Sequence, residues 1–114
     1  MLFRSGTDTA AGVHIFPGFS LHDEMALFVD AGLTPMEALQ TATRNPAQFM
    51  GRTSEMGTIE KDKIADLVLL EANPLDDIHN TRKIHAVVLN GRYLSRADLD
   101  EMLKQVESDA AASK

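Results

Sequence analysis

The chain has 114 residues, 44% of them hydrophobic and 25% charged, with a formal net charge of −6 at pH 7. Its length suits one small domain with a single modest core, and its acidic balance argues against nucleic acid or an anionic membrane as the main partner. No apolar run is long enough to span a bilayer, no signal peptide precedes the first strand, and there is no cysteine for a disulfide, thiolate metal site or thiolate nucleophile, so a reducing, cytoplasmic setting is expected.

Met1-Leu2-Phe3 reads as a short apolar strand that opens into Ser5-Gly6-Thr7-Asp8. A carboxylate at such a point has two readings. It is either a group held by a strand and exposed by a loop for chemistry, or a side chain that caps a turn. Residues 9–19 are loop-like and end in Phe16-Pro17-Gly18-Phe19. Ser20 is the expected N-cap of a first helix, with Asp23 at the capping-box position and Glu24 beside it in the first turn. Leu21, Met25, Phe28 and Val29 recur at helical spacing, and Gly32 supplies the stop. Thr34-Pro35-Met36-Glu37 opens a second helix with the apolar face Ala38, Leu39 and Ala42. Asn45-Pro46 ends it, and Asn45 is expected to cap a short third helix over 46–50, which Gly51 terminates.

The period then changes. After Gly57-Thr58-Ile59 and the charged turn 60–63, the run from Ala65 to Leu70 has strand length and is expected to be buried on both faces. Asn73-Pro74-Leu75-Asp76-Asp77 is a turn cluster. Ile84 to Leu89 and Arg92 to Leu94 are strands joined by Asn90-Gly91, a strong hairpin signal. Ser95 and Asp98 cap a last helix carrying Leu99, Met102, Leu103 and Val106 on one face, and the tail from Ser108 is expected to fray. The N-terminal strand has no partner written beside it.

Several stretches form an ordered set: Gly6-Thr7-Asp8, Ser20-Leu21-His22-Asp23-Glu24, Ala31 to Leu39, Ala42 to Ala47, Gly57-Thr58-Ile59, Lys63 to Val68 and Asn73-Pro74-Leu75. In that order and spacing they resemble the C-terminal end of metal-dependent amidohydrolases, close to the imidazolonepropionase-like and prolidase-like members, over about residues 2–94. The resemblance implies an α+β fragment: the last strand and helices of a (β/α)8 barrel plus part of a small β-sandwich, ending in a helix. Residues 1–51 would end the barrel domain, 52–94 would belong to the sandwich, and 95–114 would be the C-terminal helix and tail. It further implies that Asp8 is a catalytic residue and ligand of a divalent metal, zinc, taking a proton from the attacking water and passing it to the leaving amine. The substrate would be an amide, cyclic amide or dipeptide. The family's His-x-His, bridging Lys and two further metal His lie upstream of this stretch, and the histidines at 14, 22, 79 and 85 match none of them. No metal is therefore expected to bind tightly to this chain alone, which supplies one ligand where a catalytic zinc needs about three. Asp62 stands where the family usually has Gly, which leaves the tightness of that turn open.

Among the remaining candidates, His22 and His14 lie in or beside the proposed active-site loop and could touch substrate, or could be surface histidines. His79 and His85 flank the sheet and read as structural. Asp23-Glu24 could pair for acid–base work, but helix capping explains them more simply. Asp76-Asp77 is a turn, and Asp66 is expected to bond backbone or a cation. A second reading is a non-catalytic oligomerising or binding module derived from the same fold, since surfaces patterned for a missing barrel would be exposed. In either case a homo-oligomer is expected, because an unpaired apolar strand invites pairing.

Overall fold

Local signals account for most of the element boundaries in the computed structural model, which describes residues 3–8 and 16–112. The elements are α1 (Phe19–Asp30), α2 (Pro35–Ala42), α3 (Arg44–Phe49), β1 (Leu67–Leu70), a 3-10 helix (Ile78–Arg82), β2 (Ile84–Leu89), β3 (Arg92–Leu94) and α4 (Arg96–Ala112). The capping box of α2 is complete. The Thr34 hydroxyl accepts from the Glu37 N–H at 3.3 Å, and the Glu37 carboxylate accepts from the Thr34 N–H at 2.8 Å. The Thr34 N–H and hydroxyl, both donating to the Glu37 carboxylate, lower its pKa from the ordinary value. Ser95 and Asp98 repeat the device ahead of α4, with Ser95 N–H donating to Asp98 at 2.8 Å and Asp98 N–H to Ser95 at 3.2 Å. At the end of α1, Gly32 takes φ +107, and the Leu33 N–H reaches back to the Phe28 carbonyl at 3.0 Å, so the last turn closes on itself.

The sheet is antiparallel in the order β1-β2-β3. Asn90 (φ +49) and Gly91 (φ +79) form the hairpin turn expected of that pair. Asp66 Oδ1 accepts from the Asn90 N–H at 2.6 Å, so its carboxylate bonds backbone, as the sequence suggested. The core lies between α1, α2 and the 3-10 helix, where Met25, Ala38 and Ile78 are buried and Phe28, Val29 and Leu39 pack against them.

Several expectations require correction. α1 starts at Phe19 with Gly18 as N-cap, because the Ser20 hydroxyl accepts from the Phe16 N–H at 2.8 Å and holds the entry turn instead of the helix end. α3 begins at Arg44, and Thr43 stands at its N-cap, because the Asn45 amide is engaged elsewhere. β1 is not buried on both faces: Val68 is 58% exposed, since α4 packs on β2 and β3 while β1 packs on β2 and the 3-10 helix among the described elements. The last helix continues to Ala112 instead of fraying at Ser108, while Met102, Leu103 and Val106 remain exposed along it. The stretch from Phe3 to Asp8 is irregular. A strand needs a neighbour to pair with, and the described residues offer it none. Met1 and Leu2, the rest of that expected strand, lie outside the described residues.

Two turns show how closely the connection between α3 and the sheet is fitted. Asp62 adopts φ +69, so the turn forms in the left-handed region even without glycine, a conformation Asp tolerates better than most residues. Gly57 has φ +93, and a Cβ placed there would stand 2.6 Å from Ala47 Cβ and 3.2 Å from the Thr43 carbonyl oxygen. Gly57→Ala should therefore cost about 1–3 kcal/mol through overpacking and left-handed strain. A urea unfolding curve measures it, and an unchanged midpoint would mean that this loop does not seat on α3.

Candidate functional site

The residues ahead of Asp8 are bound to all three N-terminal helices. The Ser5 N–H donates to the Thr41 carbonyl at 2.8 Å. Thr41 lies in the last turn of α2, where carbonyls lack an intrahelical donor, so the contact satisfies a group the helix leaves open. The Asn45 side-chain amide of α3 donates to the Phe3 carbonyl at 2.6 Å, and the Arg4 guanidinium stacks 3.8 Å from the centre of the Phe49 ring. From α1, the Glu24 carboxylate accepts from the Ser5 hydroxyl, and its two oxygens share the Gly6 N–H at 3.1 and 3.2 Å. Asp8 follows two residues later, exposed and at φ +50. Asp62 and Asn90 share that left-handed region, which Asp and Asn adopt more readily than other non-glycine residues.

Asp23 and His22, next to Glu24 on α1, face the 3-10 helix. Asp23 forms an ion pair with Arg82, both side chains largely exposed, so its worth is on the order of 0–1 kcal/mol. His22 Nδ1 lies 3.0 Å from Thr81 Oγ1, whose own hydrogen goes to the Ile78 carbonyl at 2.9 Å. With that hydrogen committed, Nδ1–H must be the donor, which leaves the lone pair of the neutral ring on Nε2. Burial pushes the His22 imidazole below its ordinary value and the Arg82 guanidinium pushes the same way, against the opposing pull of Asp23. Capping therefore does not account for Asp23 or Glu24. With the helix starting at Phe19 there is no acidic residue in its first turn, and both side chains serve contacts between elements.

His14 lies outside the described residues. His79, in the 3-10 helix, pairs through Nδ1 with Asp77 at 2.8 Å, and His85, within β2 instead of flanking the sheet, has Nδ1 3.7 Å from Glu71, both histidines exposed. Among the described residues no group of three or more His, Cys, Asp or Glu gathers to hold a metal. The exposed carboxylate of Asp8 has the hard-oxygen chemistry of a single ligand to a divalent cation, and the described residues do not complete a set around it. A cavity of about 400 Å³ lies beside Phe3, Gln40, Arg44 and Gln48, and one of about 330 Å³ beside Arg44, Thr58 and Lys63. Asp8 lines neither, so it stands at an open surface.

Glu24, Ser5, Thr41 and Asn45 are the members of this site that sequence reasoning missed. The sequence offered Glu24 as a first-turn acidic residue or as half of an acid–base pair with Asp23, not as a partner of the N-terminal segment. Its partners lie 18 and 19 residues away, across a loop whose path no local pattern specifies.

Residues 3–94 match the family model described as "Amidohydrolase family". The chain is 34% identical over 77 residues to an ochratoxinase of Aspergillus niger, covering 66% of this chain and 16% of that protein. It is 34% identical over 104 residues to an imidazolonepropionase of Geobacillus sp. (strain WCH70), covering 84% of this chain and 24% of that protein. Among solved structures, it is similar to a Xaa-Pro dipeptidase with bound methionine in the active site, at TM-score 0.62 and 30% identity over 65% of this chain and 18% of that one. The chain thus spans a quarter or less of the length of these proteins.

The burial of His22, with the Arg82 guanidinium beside it, implies a pH dependence. Between the lowered folded value and the ordinary 6.5, the unfolded chain holds more protons than the folded one. Stability therefore rises with pH across that window and is lost as pH falls through it. Urea unfolding at pH 7 and pH 5.5 should show this loss in the parent and a shallower one in His22→Gln. Equal slopes in the two proteins would remove His22 as the cause.

Proposed function

The chain belongs to the amidohydrolase family, and from that premise we propose that it is the C-terminal part of a metal-dependent hydrolase of C–N bonds, with Asp8 as catalytic residue and metal ligand. The observation that carries this reading is the binding of residues 3–6 to α1, α2 and α3, which holds the exposed Asp8 at a left-handed backbone position. The substrate is a small amide, cyclic amide or dipeptide, a range that the names of the similar proteins support. Residues 1–51 end a barrel domain, 52–94 belong to a small β-sandwich and 95–114 form the C-terminal helix and tail. The irregular Phe3–Asp8 then pairs as a strand only with neighbours from the remainder of the barrel.

Asp8 would be the residue of this stretch that holds a divalent metal, zinc in this reading, which would supply Lewis acidity at the substrate carbonyl and at the attacking water. Asp8 offers one carboxylate oxygen as ligand. The other is a base that takes the proton of the attacking water and returns it, as an acid, to the departing amine nitrogen. His22, with its Nδ1–H committed to Thr81, and His14 stand as candidate substrate contacts.

One observation favours the second reading, a self-associating module. Among the described residues many large apolar side chains stand in solvent, including Ile59 at 86%, Val106 at 64% and Val68 at 58% exposed. If these faces meet in a homo-oligomer of this chain, size exclusion with light scattering should give at least a dimer mass at micromolar concentration. A monomer mass with cooperative unfolding would remove that reading.

The hydrolase reading is tested by titrating zinc into the chain and into Asp8→Asn. Weak binding that Asp8→Asn weakens further is expected, because one carboxylate is far short of a catalytic set. Tight one-to-one binding dependent on Asp8 would overturn the incompleteness of the site. In a complete enzyme carrying this stretch, Asp8→Asn should lower kcat by about 10²–10⁴ with little change in unfolding.

A further inference from the structure

The carboxylate of Glu24 has an unusual placement for a surface helix residue. It lies in the second turn of α1, half-buried, and makes no contact typical of a helix cap. Instead it gathers two donors from adjacent residues of a distant segment, the Ser5 hydroxyl and the Gly6 N–H, with both of its oxygens drawn to the latter. Hydrogen bonds to an ionised acceptor are about twice as strong as neutral ones and far more directional than an apolar contact. The clamp closes on Ser5 and Gly6, three and two residues ahead of Asp8. The Asn45 contact, at Phe3, is five residues from Asp8 and orders only the entry of the segment.

We propose that Glu24 is the positioning residue for Asp8. By fixing Ser5 and Gly6 it sets the direction in which Thr7 and Asp8 leave the helices, and so the place where the Asp8 carboxylate meets a divalent cation. The assignment rests on the reading of Asp8 as a ligand. Asp8 is an exposed carboxylate on an irregular segment, with no strand among the described residues to aim it. A group of that kind is useful as a ligand only if its backbone is held, since ordering it at each binding event would cost affinity.

Glutamine at position 24 keeps the clamp in outline. Its oxygen accepts from the Gly6 N–H, and the Ser5 hydroxyl rotates to accept from its amide. Alanine removes both bonds. The contrast separates position from charge, because both substitutions remove the negative charge.

The test is nuclear magnetic resonance on the full chain, with amide exchange at Gly6 reporting the clamp and manganese broadening of the Asp8 signals reporting cation binding. Glu24→Ala should speed Gly6 exchange about tenfold or more and weaken the manganese response at Asp8 severalfold. Glu24→Gln should stay within about threefold of the parent in both. Unchanged Gly6 exchange in Glu24→Ala overturns the clamp. A Glu24→Gln response as weak as that of Glu24→Ala overturns positioning in favour of charge. A manganese response that survives intact in Asp8→Asn shows that Asp8 is no ligand, and this overturns the underlying reading while Gly6 exchange still judges the clamp separately.

Discussion

The junction of α1, α2 and α3 with the N-terminal segment is the constraint on which the rest of the arrangement depends. Four donor–acceptor contacts meet there: Glu24 on Ser5 and on Gly6, the Thr41 carbonyl on Ser5, and Asn45 on Phe3. Each is possible only because the helices are already packed. Ala38, fully buried, has no side chain beyond Cβ to hold α1 and α2 apart, and Met25 and Ile78 close the gap from either side. The apolar contact sets where the helices lie, and their polar groups then find partners at set distances. Asp8 inherits its position from that order of events.

The sheet half is built on a different principle. Its contacts are local or between adjacent strands, so its register follows from the Asn90-Gly91 turn and the Asp66 carboxylate that accepts from Asn90. It joins the helical half through the 3-10 helix, which packs on α1, and through Gly57, whose missing side chain lets the connecting loop lie against Ala47. Much of the apolar surface left over on β1 and α4 has no cover among the described residues. A chain that spans a quarter or less of its relatives' length would present such surface if it normally packs against the remainder of a larger domain.

The electrostatics at the helix junction carry the same division. Glu24 and Asp23 are neighbours with opposite allegiances, one to the N-terminal segment and the other to Arg82 on the 3-10 helix. The sequence pattern Ser-Leu-His-Asp-Glu invites a capping reading. The helix instead begins at Phe19, because the Ser20 hydroxyl serves the Phe16 N–H. With the helix starting at Phe19, His22, Asp23 and Glu24 each contact another part of the chain.

The sequence by itself determined what depends on residues a few places apart. Thr34 and Glu37 around α2, Ser95 and Asp98 ahead of α4, the Gly32 stop and the Asn90-Gly91 hairpin are all three-to-six-residue devices, and each formed as written. The order of the motifs likewise carried the family, because spacing along a chain survives without coordinates. Only the tertiary structure decided that Glu24 meets Gly6 across 18 residues, that His22 and Asp23 meet Thr81 and Arg82 across 59, and that Asn45 reaches Phe3 instead of capping its own helix. Those pairings depend on how an apolar core brings separate elements together. A carboxylate or amide has the same local signature whether its partner is three residues away or fifty-nine.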